Sequence, residues 1–147
     1  MAYWLTTHWP LRKDEPEDQP QSGIWVRDEK RKVISQVHAG DLVFIYETVA
    51  GKTKLSKMAD GREEQVPCRK GRGGIVALVK VAKSASEPEE SQRENYSDGT
   101  TMWWRWYAPT EPVNTVGFVP REEVARLLGY KPQYSFKGFG EDKSGLG

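Results

Sequence analysis

The sequence predicts a small α+β protein built on a mixed β-barrel with two or three short helices. Strand-like runs alternate with polar loops, and two of them, Leu42–Tyr46 and Gly74–Val81, are apolar almost throughout. Such runs are typical of strands buried on both faces, and closure of a sheet into a barrel explains this double burial because it removes the edges. The 147 residues suit one compact domain over 1–147, with the barrel at about 2–129.

The remaining strands are predicted from β-rich runs bounded by turn residues. Ala2–Thr7 ends before Pro10, and Gly23–Arg27 restarts β-structure after a proline-rich loop. A hairpin is expected around Asp60-Gly61 within a basic excursion. Val116–Val119 is expected to be the last core strand.

Two short helices complete the prediction. Asp28 is expected to cap the first, in which the apolar residues share one face. These apolar residues are Val33, Ile34 and Val37. The second helix is predicted to begin at Pro120 and end at Gly129, since proline suits a first helical turn and glycine a helix end. The tail, 130–147, is expected to lie on the barrel.

The charge balance restricts the possible partners. Twenty-two Lys and Arg residues against 21 Asp and Glu give a formal charge of +1, so a nucleic-acid site must be local rather than a global basic field. Cys68 is the only cysteine in the sequence, which excludes an intrachain disulfide and favours a reducing, cytoplasmic setting. No apolar run of membrane-spanning length is present, so we expect neither a signal peptide nor a membrane partner.

The run Trp103–Tyr107 places four aromatic residues around one arginine. In a strand, Trp104 and Trp106 point to one side and the other three residues to the opposite side. We assign Trp104 and Trp106 to the core. The other face suits a flat ligand such as a nucleobase, because aromatic rings stack on bases and arginine pairs with phosphate. Packing of the strand between two other layers remains the alternative.

No motif for catalysis is present. The two histidines, His8 and His38, form no metal-ligand or nuclease-type pattern, and Cys68 has no partner in a catalytic motif. We therefore expect no enzyme activity, no metal and no cofactor.

Four ordered segments resemble the EVE domain of the PUA-like superfamily. They are Tyr3-Trp4-Leu5 followed by Pro10, then Gly23–Val26, Gly40–Tyr46 and Gly74–Ala77. The resemblance implies a non-catalytic reader that flips a modified base into an aromatic pocket. Many EVE domains carry Lys-Ser-Glu-Pro where this chain has Thr7-His8-Trp9-Pro10, so the polar groups that meet the base must differ.

The chain is similar to the EVE branch associated with modification-dependent restriction. That similarity implies 5-methylcytosine or 5-hydroxymethylcytosine in DNA as the ligand, and a nuclease or translocase partner encoded nearby. Two alternatives stay open. One is an RNA-binding module for a methylated base such as N6-methyladenine, and the other is a barrel that binds a protein or a small molecule.

The resemblance also implies which residues form the site, with Trp25 as the foremost cage residue. The expected base-binding residues are Thr7, His8, Trp9, Trp25, Val26, Arg27, Tyr96 and Trp103. The expected phosphate contacts are Arg105, Arg69, Lys70 and Arg72, the last three from the basic segment before Gly74.

Overall fold

The computed structural model describes residues 2–15, 23–89, 92–128 and 139–141, and of Leu128 and 139–141 only the backbone. Within these ranges the chain forms ten strands, a 3-10 turn at Asp28–Lys30 and two α-helices. The strands are β1 (Tyr3–His8), β2 (Gly23–Arg27), β3 (Leu42–Glu47), β4 (Lys54–Lys57), β5 (Glu63–Val66), β6 (Gly74–Val81), β7 (Gln92–Tyr96), β8 (Thr101–Asn114), β9 (Val119–Pro120) and β10 (Phe139–Glu141). The helices are α1 (Arg31–Ile34) and α2 (Arg121–Leu128).

The strands form one mixed sheet. Its hydrogen-bonded order is β10-β1-β3-β6-β8-β7-β4-β5, with β2 added on β8 and β9 on β6. β1 and β3 are parallel, whereas the other pairs are antiparallel. A mixed sheet with a few short helices is the α+β class that the sequence predicts, and this prediction is confirmed.

Strand β8 determines where the aromatic residues point. One edge of β8 pairs with two strands, β6 and β7. Between them, Ser86 forms a bridge opposite Tyr107 on this edge. The other edge of β8 pairs with β2, where Trp25 lies opposite Tyr107. Because side chains alternate along a strand, Trp104 lies on one face of β8 and Trp103 on the other.

The main core lies between β1, β2, β3, β6 and α1. It contains Trp4, Ile24, Val26, Ile34, Val37, Val43, Ile45, Val79 and Val81. Trp106 packs against this core, as predicted. Asp41 is also buried, and its carboxylate accepts hydrogen bonds from Trp4 Nε1 at 3.0 Å and from the backbone N–H of His38 at 2.9 Å. Burial alone would raise the pKa of Asp41, but these hydrogen bonds and one from the backbone of Ala2 lower it overall.

Several element predictions are confirmed. β3 is buried at Val43, Ile45 and Tyr46. The hairpin forms between β4 and β5, and Gly61 in its turn has φ +88°, a conformation that favours glycine. In the tail, β10 pairs with β1, while the predicted helix end at Gly129 and the rest of the tail lie outside the described residues.

Two element predictions are wrong. Asp28 does not cap a helix, because its carboxylate accepts hydrogen bonds from Arg105 Nη1 at 3.1 Å and Trp106 Nε1 at 3.2 Å instead. Val116 is not part of a core strand, since it is 91% exposed and β9 covers only Val119–Pro120. An Asn114 side-chain oxygen accepts the backbone N–H of Val116 and turns the chain before β9.

Candidate functional site

Three aromatic rings meet on the face of β8 that carries Trp104, which we call the inner face. The face that carries Trp103 is the outer face. The ring centroids of Trp9 and Tyr96 are 5.3 Å apart at 85°, and those of Trp9 and Trp104 are 6.0 Å apart at 90°. These edge-to-face arrangements are favoured for aromatic pairs. We call Trp9, Tyr96, Trp104 and the carboxylate of Glu94 the aromatic cluster.

Strand pairing explains why these residues meet. Glu94 and Tyr96 are two positions apart on β7, so their side chains share one face. Gln92 lies opposite Trp104 in the β7–β8 register, which places Trp104 diagonally across from Glu94. Trp9 directly follows β1. The end of β1 is fixed by a hydrogen bond from the backbone N–H of Thr48 to the carbonyl of His8, at 2.9 Å.

Glu94 is the polar centre of the cluster. Its Oε1 accepts hydrogen bonds from Tyr96 Oη at 2.8 Å and Trp104 Nε1 at 2.9 Å, and Lys54 Nζ lies 3.2 Å from Oε2. Burial pushes the pKa of Glu94 upward, but the hydrogen bonds from Tyr96, Lys54 and Trp104 outweigh it and lower the pKa. Glu94 is therefore a carboxylate at neutral pH.

Tyr96 remains a hydrogen-bond donor at neutral pH. The residue is only 1% exposed, and burial together with the charge of Glu94 raises the pKa of its phenol. Trp104 Nε1 also donates to Tyr96 Oη, at 3.1 Å. Both aromatic donors are thus directed at partners inside the cluster.

Cations surround the cluster although the whole chain is nearly neutral. The Arg12 guanidinium lies 6.0 Å from the ring centroids of both Trp9 and Tyr96, and Lys52 Nζ lies 5.7 Å from that of Tyr96. Arg12 is buried and donates to the carbonyls of Lys52 at 2.9 Å and Val66 at 3.0 Å. It therefore ties the segment after β1 to the β4–β5 hairpin.

A glycine makes room for Trp9. A Cβ built on Gly51 would lie 2.6 Å from Trp9 Cγ and 2.9 Å from Cys68 Sγ. Cys68 is partly buried, and this burial raises the pKa of its thiol. The lack of a side chain at Gly51 thus allows the Trp9 ring to lie where it does.

The structure separates the predicted base-binding residues into two groups. Thr7 and His8 end β1 beside Trp9, and Tyr96 lies in the aromatic cluster. Trp25 instead contacts Tyr107, with ring centroids 4.7 Å apart, on the outer face of β8. Which of these residues bind a ligand stays a prediction, but they do not line one common surface.

The positions of Val26 and Trp104 differ from the predicted assignment of residues to pocket and core. Val26 is 5% exposed and packs in the main core, because alternation along β2 turns it away from Trp25. Trp104, predicted to be core, is only half-buried and belongs to the aromatic cluster. Arg27 lies near Glu29, with 3.8 Å between Arg27 Nε and a carboxylate oxygen.

On the outer face, Trp103 is covered by arginines. The guanidinium carbons of Arg93 and Arg105 lie 4.2 and 4.5 Å from its ring centroid. Arg105 also pairs with Asp28 at 3.1 Å and Glu87 at 3.0 Å. Two carboxylates thus already pair with the Arg105 guanidinium, and its predicted contact with phosphate stays a prediction.

The other predicted phosphate contacts differ in their surroundings. Arg69 Nη2 donates to the backbone carbonyls of Lys13 at 3.2 Å and Glu15 at 2.9 Å, which fixes the segment after β1. Lys70 and Arg72 are exposed, and the Arg72 guanidinium lies 4.0 Å from the Phe118 ring centroid. Lys70 and Arg72 are consequently the cations of this set that solvent, and a phosphate, can reach.

Two further findings concern the part of the chain that the structure describes. It contains no group of three or more His, Cys, Asp or Glu side chains that could hold a metal ion. None of the helices in this part is long and apolar enough to cross a membrane.

Sequence reasoning missed Glu94, Arg12 and Gly51. For Glu94 a signal existed, since an acidic residue two positions before Tyr96 in a strand must share its face. Arg12 and Gly51 carried no such signal, because their roles depend on contacts between segments distant in the sequence.

Comparison with known proteins bears on the fold. Among solved structures, the chain is similar to human THYN1 in complex with DNA that contains 5-methylcytosine. The TM-score is 0.53 and the identity 14%, and the match covers 99% of this chain and 92% of that chain. No protein-family model and no curated protein matches the sequence. The similarity agrees with the predicted α+β fold, and at this identity it shows the fold alone.

Proposed function

We propose that this chain is a non-catalytic reader of a modified nucleobase, with 5-methylcytosine or 5-hydroxymethylcytosine in DNA as its ligand. The observation that carries the proposal is the aromatic cluster, in which the half-buried Trp9 packs edge to face on Trp104, and Trp104 donates a hydrogen bond to the carboxylate of Glu94. The likeness of the fold to a protein solved with 5-methylcytosine DNA supports DNA over RNA.

Stacking supplies the binding energy in this proposal. A base that leaves the duplex loses a few kcal/mol of stacking and pairing. Stacking on an aromatic side chain returns about 1–3 kcal/mol per base. Trp9 and Trp104 are the half-buried aromatic residues of the cluster, whereas Tyr96 is buried.

Local charge fits a weak, base-dependent interaction. Lys52 and Lys54 flank the cluster but pair with carboxylates, of Asp98 at 3.1 Å and of Glu94 at 3.2 Å. Lys70 and Arg72 lie exposed on the segment before β6. So few cations neutralise few phosphates, and we expect micromolar or weaker affinity that depends only modestly on salt. In the cytoplasm, a nuclease or translocase encoded nearby would act on the DNA that this reader binds.

Fluorescence anisotropy titrations test the proposal. We expect tighter binding to oligonucleotides with 5-methylcytosine or 5-hydroxymethylcytosine than to matched ones with cytosine, adenine or N6-methyladenine. Trp9→Ala should weaken binding about 5- to 150-fold, the equivalent of about 1–3 kcal/mol. Trp25→Ala, on the outer face, is the matched comparison: it should leave affinity unchanged when the inner face binds the base, and abolish binding when Trp25 is the cage residue that the resemblance implies.

Three outcomes would contradict the proposal. Equal affinity for all five bases would exclude a modified-base reader. Loss of binding in Trp25→Ala alone would move the site to the outer face of β8. Tighter binding to N6-methyladenine RNA than to any DNA would favour the RNA-binding alternative.

A further inference from the structure

We infer that Glu94 makes the site selective for bases with an exocyclic amine, such as cytosine and its 5-substituted forms, and against bases with a keto oxygen at that position. The inference rests on the proposed function, because it assigns the polar part of the same site. It adds a second criterion, the amine, to recognition of the modification.

The hydrogen bonds of Glu94 leave one acceptor position for a ligand. A carboxylate has about four lone-pair sites. Tyr96 and Trp104 both donate to Oε1, and Lys54 occupies one site on Oε2. The second site of Oε2 remains, on a side chain that is 17% exposed.

The same hydrogen bonds remove the donors that a keto oxygen would need. Trp104 Nε1 is directed at Glu94 and Tyr96, and the Tyr96 hydroxyl is directed at Glu94. A keto oxygen placed against Oε2 would therefore meet a negatively charged acceptor. An amine at that position donates instead, which is how carboxylates recognise cytosine N4 in DNA.

Lys54 is the group that competes with this selectivity. Its ammonium is 37% exposed and pairs with Glu94 Oε2 at 3.2 Å, so on leaving the carboxylate it would be able to donate to a keto oxygen. The Lys54→Met variant removes this donor and frees Oε2. The inference predicts that this variant retains or increases the preference for an amine.

The test compares 5-methylcytosine with thymine in otherwise identical single-stranded oligonucleotides. These bases share the 5-methyl group and differ in the amine or keto group at position 4, and single strands remove differences in base pairing. We expect the unmodified protein to bind 5-methylcytosine at least about tenfold more tightly than thymine, because the unpaired polar group penalises the wrong base. Glu94→Gln should reduce this ratio to about threefold or less by improving thymine binding, since an amide can also donate.

The comparison with cytosine separates the two proposals. A protein that prefers 5-methylcytosine to cytosine but binds thymine equally well would overturn the inference and leave the reader function standing. Absence of any preference for 5-methylcytosine over cytosine would overturn the proposed function itself. A folded Glu94→Gln variant that loses 5-methylcytosine binding without gaining thymine binding would also refute the inference. If Glu94→Gln does not fold, the test uses the affinity for 5-methylcytosine relative to thymine in the unmodified protein and in Lys54→Met. Equal affinities for the two bases would then refute the inference.

Discussion

The two faces of β8 carry similar aromatic residues in different surroundings. On the outer face, guanidinium groups lie 4.2 and 4.5 Å from the Trp103 ring centroid, at stacking distance. On the inner face, the cations nearest the Trp9 and Tyr96 rings are 5.7–6.0 Å away, and Trp9 meets its aromatic neighbours edge to face. The Trp103 ring is thus covered by cations at stacking distance, whereas the Trp9 and Tyr96 rings are not.

The difference shows that the density of aromatic residues does not by itself locate a binding site. Arg105 completes the outer face by pairing with Asp28 and Glu87, which neutralises its charge. The inner face instead holds a charged carboxylate whose donors orient it. Available ring surface next to an oriented polar group is the property that suits a base.

The largest expected effect comes from filling the space behind Trp9. Gly51→Ala places a Cβ 2.6 Å from Trp9 Cγ and 2.7 Å from Trp9 Cβ, atoms too near the backbone to rotate away. We expect a loss of about 3 kcal/mol of unfolding free energy, the upper end of the overpacking range, together with loss of oligonucleotide binding. Urea unfolding and anisotropy titrations measure the two quantities.

Gly23→Ala is the matched control on the outer face. Its Cβ would overlap the far end of the Tyr107 side chain, which must rotate away from its contact with Trp25 but is not backbone. Its cost in stability should therefore be smaller, and affinity should not change. Equal loss of binding in both glycine variants would contradict the assignment of the site to the inner face.

The next effect concerns the two indole nitrogens. Trp104 Nε1 donates to a charged carboxylate, whereas Trp103 Nε1 is buried without a hydrogen-bond partner among the residues that the structure describes. Trp104→Phe should lower the free energy of unfolding by about 2 kcal/mol, as expected for loss of a hydrogen bond to a charged group. Trp103→Phe should be close to neutral. Urea midpoints of both variants check this, and equal losses would contradict it.

The sequence predicted the strands better than the site because strand prediction uses local information. Apolar runs such as Leu42–Tyr46 and the turn at Asp60-Gly61 contain their own signals, and both were confirmed. The face on which a tryptophan lies depends on its pairing partners. Alternation placed Trp104 and Trp106 on one face, but only the pairing of β7 with β8 shows that Trp104 lies beside Glu94 rather than in the main core.

Charged residues were the least predictable part of the site. Arg105 and Arg69 were expected to contact phosphate because they are cations near aromatic or glycine-rich segments. Their actual partners are carboxylates and backbone carbonyls of distant segments. A sequence pattern gives the charge of a residue, whereas its availability depends on partners that the fold brings together.

The smallest expected effect is the contribution of Glu94 to acid stability. Its hydrogen bonds to Tyr96, Lys54 and Trp104 lower its pKa below the ordinary value of 4.5, although burial opposes them. A carboxylate with a lowered pKa in the folded state stabilises the protein fully above its unfolded pKa, and this stability is lost as pH falls through the folded pKa. The effect should therefore begin below about pH 4.5 and increase toward lower pH.

Glu94→Gln isolates this contribution, because an amide does not titrate. Asp41, whose pKa is also lowered, is common to both proteins and cancels from their difference. We expect the unmodified protein to be the more stable at pH 7 and the difference in urea midpoint to shrink between pH 4.5 and pH 2. A difference that stays constant across this range would show that Glu94 acts through packing alone. The inner face of β8 would then lack the oriented charge that distinguishes it from the outer face.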